Sequence, residues 1–170
     1  MLFRSLRESK RVIRQVGAVL ITETHHGLKM ANAGVDASNV GGADLVCLLP
    51  VDPDASCRRL REDIRRLAGA EVAVVMTDTF GRPWRLGQTN VAIGVAGMLP
   101  MRDYIGQTDL DGHVLRVTTI CVADEVAGAA EMVMGKVDAV PVAILRGYPY
   151  ERGEGAAAEI VREQTTDLFP

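Results

Sequence analysis

Apolar residues fall along this chain in short runs separated by glycine- and aspartate-rich stretches, and the spacing inside each run predicts an element. Residues 5–16 (SLRESKRVIRQV) carry Leu6, Val12, Ile13 and Val16 among basic side chains and predict a short helix. Residues 18–24 and 28–33 are strand-like and flank His25-His26-Gly27, so a hairpin is expected with Gly27 in its turn and the histidines exposed there. Residues 32–44 (NAGVDASNVGGAD) are too rich in Gly, Asn, Asp and Ser to form one regular element. After a buried strand expected at 45–49 comes the clearest helix, with Asp52 as N-cap, Pro53 at the first position and Gly69 as terminator. Leu60, Ile64 and Leu67 are its expected core stripe.

The second half continues the alternation. Buried strands are expected at 72–76 and 91–95, the latter closely approached because it holds Gly94 with Gly97 beyond it. A loop over 99–113 and a strand at 113–119 follow. A helix is expected over 121–134, closed by Gly135, with Val122, Val126, Ala129 or Ala130 and Val133 inward and Met132 and Met134 packing. A short loop at 135–139, a buried strand at 140–145 and a polar helix at 156–164 finish the chain. This order argues for an α/β or α+β arrangement around one sheet system, without internal repeats or long linkers.

Composition narrows the class. With 170 residues, 48% of them hydrophobic, the chain can bury a single core and is expected to form one domain. A net charge of -3 supplies no global basic field for nucleic acid or anionic membrane. Cys47, Cys57 and Cys121 fit neither a disulfide framework nor a paired-thiol zinc site, and read as reduced, mostly core thiols. No apolar run reaches the roughly 18 residues of a membrane span. The basic start has no apolar h-region, so a cytoplasmic protein is the expectation.

The chemistry concentrates in TDTFGRPWRLGQT, residues 77–89, expected as a loop leaving a strand end, where α/β sheets keep their active groups. Asp78 and Thr79 offer hard oxygen ligands. Arg82 and Arg85, on either side of the single tryptophan Trp84, offer forks suited to phosphate or carboxylate. Asp36 and Asn39 lie in the loop at 32–44, which is either a plain connection or a holder of cation and phosphate. Asp36, Asp78 and Thr79 together can hold one or two magnesium or manganese ions, a set suited to phosphoryl transfer. No Walker loop, GxGxxG turn or Ser or Cys nucleophile motif accompanies them.

Several tempting residues take plainer roles. Asp103, Asp109 and Asp111 lack the EF-hand spacing and are expected in turns. Arg58, Arg59, Arg61, Arg65 and Arg66 interleave with Glu62 and Asp63 as a solvated helix face. Asp124 and Glu125 complement a helix dipole.

Five segments, NAGVDASN (32–39), LLPVDPDAS (48–56), DTFGRPWRLGQTNVAIGVAG (78–97), VADEVAGAAEMVMGK (122–136) and VPVAILRG (140–147), together resemble the coenzyme F420-0:gamma-glutamyl ligase family, in family order. The resemblance implies an α+β fold of mixed sheets with flanking helices, and a homodimer. It implies a GTP- and divalent-metal-dependent ligase that adds L-glutamate to F420-0 through an acyl phosphate. Carried over from the family, Asp36, Asp78 and Thr79 are metal ligands, Asn39 contacts the nucleotide, and Met134, Gly135, Lys136, Val137 and Asp138 form a nucleotide loop. Arg82 and Arg85 are added as candidates for orienting phosphate or carboxylate. The resemblance begins near Glu8, well inside the family's pattern, so an upstream segment that completes the nucleotide site is expected to be missing. Lys136 stands where relatives are expected to carry an acid. The alternatives are a non-catalytic coenzyme- or partner-binding protein derived from the ligase, or one part of a split or incomplete enzyme.

Overall fold

A computed structural model describes residues 2–42 and 44–167; Ala43, inside the expected loop at 32–44, lies outside the described residues. Two β-branched runs on either side of Gly17, which adopts φ +57°, fold back on each other as β1 (Ser9–Val16) and β2 (Val19–Thr24). The expected second hairpin forms with Gly27 at φ +85° and adds β3 (Lys29–Ala31) to the other edge of β2. The helix expected over 5–16 is therefore corrected. Only α1 (Leu2–Glu8) is helical, because Val12 and Val16 pair with Thr22 and Val19 in a ladder across the tight turn, interrupted by bulges at Lys10 and Ile13, which a short isolated helix cannot match. Lys10 Nζ and Arg11 Nε both donate to Glu23 across that pair, at 2.9 and 2.7 Å.

The central unit is a third hairpin, with two helices packed on it. The stretch expected as a loop is instead strand: β4 (Val74–Arg82) and β5 (Arg85–Ala96) pair from end to end with bulges at Ile93 and at Leu86 and Gly87, joined by Pro83 and Trp84, the latter at φ +57°. A third small sheet pairs β6 (Met101–Asp103) with β7 (Thr119–Cys121). Among the described residues the three sheets are antiparallel, and the class is α+β. The single sheet system anticipated from the alternation does not form.

Helix α2 (Pro53–Ala68) starts where Asp52 Oδ1 accepts from the Ala55 amide at 2.8 Å and ends at Gly69, φ +64°. Its buried side is Pro53 and Cys57, continued by Arg61, whose Nε donates to Val72 O at 3.0 Å. The expected stripe is turned outward, with Leu60 48%, Ile64 36% and Leu67 74% exposed. Close approach decides this orientation: a Cβ on Gly94 would sit 2.8 Å from Pro53 backbone atoms, so small residues on β5 select the narrow side of the helix. Gly94→Ala is expected to lose about 1–3 kcal/mol of stability by forcing α2 off β5, measurable by urea denaturation.

Helix α3 (Val122–Met134) buries Val122, Ala123 and Ala127 and part-buries Val126. Val133 and Met132 are 69% and 86% exposed, so neither packs inward as expected. The core lies between β5 and these helices: Ala92, Val95, Met98, Val122, Ala123 and Ala157. Asp54 in α2 and Asp124 in α3 clamp the same strand, accepting from the amides of Val95 at 2.7 Å and Ala92 at 2.8 Å. Ala92 and Val95 flank the register shift at Ile93, and each helix start meets one of their amides. Asp124 thus acts on a specific amide, beyond a general effect on the helix dipole.

The remaining expected elements are corrected by the absence of ladder partners. At 45–49 only the bridge of Asp36 with Cys47 forms, and Leu45 is 57% exposed. At 140–145 the chain is irregular and mostly exposed, with Pro141 unable to donate to a ladder. Pairing at 113–119 is limited to the bridge of Thr108 with Val114 until β7 begins at Thr119. The helix expected at 156–164 is two short 3-10 turns, Ala157–Ile160 and Gln164–Thr166. Among the described residues no helix is long and apolar enough to cross a membrane.

Candidate functional site

Pairing within the β4–β5 hairpin sets Thr79 directly opposite Asn90. Thr79 Oγ1 donates to Asn90 Oδ1 at 2.8 Å, and Asn90 Nδ2 donates to Glu131 Oε2 of α3 at 2.9 Å and to Thr77 Oγ1 at 3.5 Å. Asn90 is only 5% exposed, so this amide is a fixed support. It commits the Thr79 proton inward and leaves that hydroxyl's lone pairs turned outward, as a cation or ammonium requires. Lys136 Nζ, just beyond α3, donates to the same Thr79 Oγ1.

The loop from 32 to 42 reaches this place from a segment well before β4 in the sequence. Asn32 and Ala33 take left-handed φ of 53° and 57°, with Asn32 Oδ1 accepting from the Leu20 amide at 3.1 Å. The bridge of Asp36 with Cys47 then fixes the loop's middle. Asp36 carboxylate oxygens accept from the Ser38 amide at 2.8 Å and from Ser38 Oγ at 2.7 Å. Asn39 Nδ2 donates to Lys136 O at 3.4 Å, tying the loop to the segment after α3. Burial holds the Asp78 carboxyl above the ordinary carboxylate range. The Thr79 amide opposes that shift, the Asp36 charge adds to it, and the Lys136 charge offsets part of it.

Lys136 thus meets Thr79 through its ammonium and Asn39 through its carbonyl, and the charges of Asp36 and Lys136 both act on Asp78, so these five residues lie around one shelf. Met134 and Gly135 lead into it from α3, with the Gly135 amide donating to Glu131 O at 3.1 Å. A side chain at Gly135 would collide with the Asp138 carboxylate, while Val137 is 89% exposed. Arg82 and Arg85 stand apart at the hairpin tip. Arg82 Nη2 donates to Leu86 O at 2.7 Å, bracing the turn, and Arg85 is exposed. Asn90 and Glu131 are the supports that sequence reasoning missed. Reading residues 77–89 as a hairpin, with Pro83 and Trp84 at its turn, is the signal that sets Asn90 against Thr79.

Other chemistry-bearing groups lie off the shelf. Burial pushes the Cys57 thiol up to about 11 and Cys121 up to about 12, so neither is a ready thiolate. Cys47 is exposed, unlike the core thiol expected. Asp109 Oδ1 accepts from the Asp111 and His113 amides at 3.0 and 2.8 Å, closing the expected turn. His26 Nε2 lies 2.9 Å from Pro50 O in a partly buried turn. The α2 arginines form the expected local pairs, including Arg66 with Asp63 at 2.7 Å and Arg61 with Glu71 at 3.3 Å. Cavities of about 240 and 250 Å³ lie beside Tyr148 and Tyr150, and beside His26 and Pro53, and neither is lined by the shelf residues.

Residues 4–147 match the model of a family described as F420-0:Gamma-glutamyl ligase. Relatives named coenzyme F420:L-glutamate ligase include one from Methanothermobacter thermautotrophicus, 43% identical over 96% of this chain and 66% of its own length. Another, from Methanocaldococcus jannaschii, is 39% identical over 96% of this chain and 66% of its own. A third, from Methanopyrus kandleri, is 43% identical over 96% and 67%. The chain thus spans about two thirds of the length of the relatives it matches.

Proposed function

The chain belongs to the F420-0:gamma-glutamyl ligase family, and from that membership we propose that it joins L-glutamate to coenzyme F420-0 in a reaction driven by GTP. The observation that carries this reading is the convergence of Asp36 and Asn39, Asp78 and Thr79, and Lys136, from three segments far apart in sequence. Such a shelf of hard oxygens beside an amide and an ammonium suits a nucleoside triphosphate better than it suits hydride or acyl-enzyme chemistry.

The reaction proceeds in two balanced steps. A carboxylate oxygen of F420-0 takes the terminal phosphoryl group of GTP, forming an acyl phosphate as the bond to GDP breaks. The glutamate amine then attacks the acyl carbon, inorganic phosphate leaves and the amine gives up its proton. Asn39 and the loop Met134, Gly135, Lys136, Val137 and Asp138 hold the nucleotide in this reading, supported by the Asn39 to Lys136 contact that makes them one surface. Asp36 and Asp78 fit magnesium or manganese by donor chemistry, and Thr79, whose proton is directed to Asn90, would add a third oxygen where the Lys136 ammonium gives way to the ion. A divalent ion bound there would offset the charge on phosphate oxygens. Arg82 and Arg85 are assigned to anionic substrate groups reaching the hairpin tip.

A homodimer belongs to the same reading, supported by the open apolar residues Leu60, Ile64 and Leu67 on α2 and by Val142 and Ile144. Sedimentation of the purified chain is expected to give a dimer. The function itself is tested by incubating the chain with F420-0, glutamate, GTP and manganese. Glutamylated coenzyme and GDP are expected in equal amounts. A chain that makes neither is not a ligase by itself.

A further inference from the structure

Lys136 is the one shelf residue whose charge is opposite to what a cation site offers. Its ammonium donates to Thr79 Oγ1, on the lone-pair side that Asn90 leaves exposed, and its charge acts on Asp78. Its backbone carbonyl is held from the other side by Asn39, which fixes where the residue leaves α3. We propose that Lys136 is a built-in cation of the shelf, holding at Thr79 the place that a divalent ion bound through that hydroxyl would otherwise take. The shelf then accommodates a divalent ion through Asp36 and Asp78 only against, or at a distance from, the ammonium. Two like charges in a partly buried site repel strongly enough to change ion affinity about tenfold or more.

The inference rests on the cation-binding reading of the shelf, and manganese binding separates the two. The natural chain, Lys136→Met, and Lys136→Met combined with Asp78→Asn are titrated with manganese alone, following loss of the free-ion paramagnetic resonance signal. Lys136 is exposed, and circular dichroism of each variant verifies that it remains folded. Lys136→Met is expected to bind manganese about tenfold tighter or more, and the added Asp78→Asn to abolish the gain. Equal and measurable binding by the natural chain and Lys136→Met would keep the cation site and overturn the role of Lys136. A gain that survives Asp78→Asn would place the ion elsewhere and overturn it as well. No binding by any of the three would remove both the role of Lys136 and the cation reading itself.

Discussion

Asp78→Asn is expected to lower GTP-dependent glutamylation by at least about 100-fold while leaving the chain at least as stable at neutral pH as the natural protein. The two halves of this result have one cause. Burial raises the Asp78 carboxyl above its ordinary value of 3.8, and the Asp36 charge raises it further. The folded chain therefore binds that proton more tightly than the unfolded chain does. Stability from the bound proton is complete below the ordinary carboxylate range and is lost as pH rises through the raised value. At neutral pH the ionised group is a net cost of folding, and an amide removes that cost while still accepting from the Thr79 amide. Melting temperatures of the two proteins are expected to separate at neutral pH, with Asp78→Asn higher, and to converge as the pH is lowered through the carboxylate range. A variant that loses stability and turnover together would show Asp78 to be structural.

Asp54→Ala is expected to cause the largest loss of stability, about 2–6 kcal/mol in urea denaturation. Asp54 Oδ1 accepts from the Val95 amide at 2.7 Å and from the Ala157 amide at 3.0 Å, so one carboxylate ties α2, β5 and the C-terminal turn together. Val95 and Ala157 are 0% and 7% exposed, and water cannot readily replace the acceptor. Each amide left unsatisfied costs about 1–3 kcal/mol. Asp54→Asn keeps one acceptor oxygen and is expected to lose clearly less. Equal losses for the two substitutions would show that shape, rather than the accepting oxygen, matters at this position.

How much was legible depended on the range over which each feature is determined. The ends of α2 could be read because Asp52, Pro53 and Gly69 act within a turn of themselves. The hairpin at His25-His26-Gly27 could be read for the same reason. The candidate residues Asp36, Asp78 and Thr79 stood out as short oxygen-bearing side chains in polar segments. Their support did not, since Asn90 matters only once β4 and β5 pair, and Glu131 only once α3 lies across them. The fork of Arg82 could be read as chemistry suited to phosphate, but that its Nη2 also braces the turn through Leu86 O depends on the folded hairpin.

The sequence by itself determined the local conformations, the helix ends, the tight turns and the chemical types available for a site, because each follows from one residue and its near neighbours. Tertiary structure decided which face of α2 is inward, that residues 77–89 form a hairpin, and that Lys136 faces Thr79. Those outcomes depend on distant pairs: Gly94 admitting Pro53, Thr79 meeting Asn90, and Asn39 holding the chain at Lys136. A hydrophobic period states that a helix has an apolar side, but the shape of the opposing surface chooses the side that packs. For α2 that surface is glycine-lined and close, so the leucines of the period remain outside.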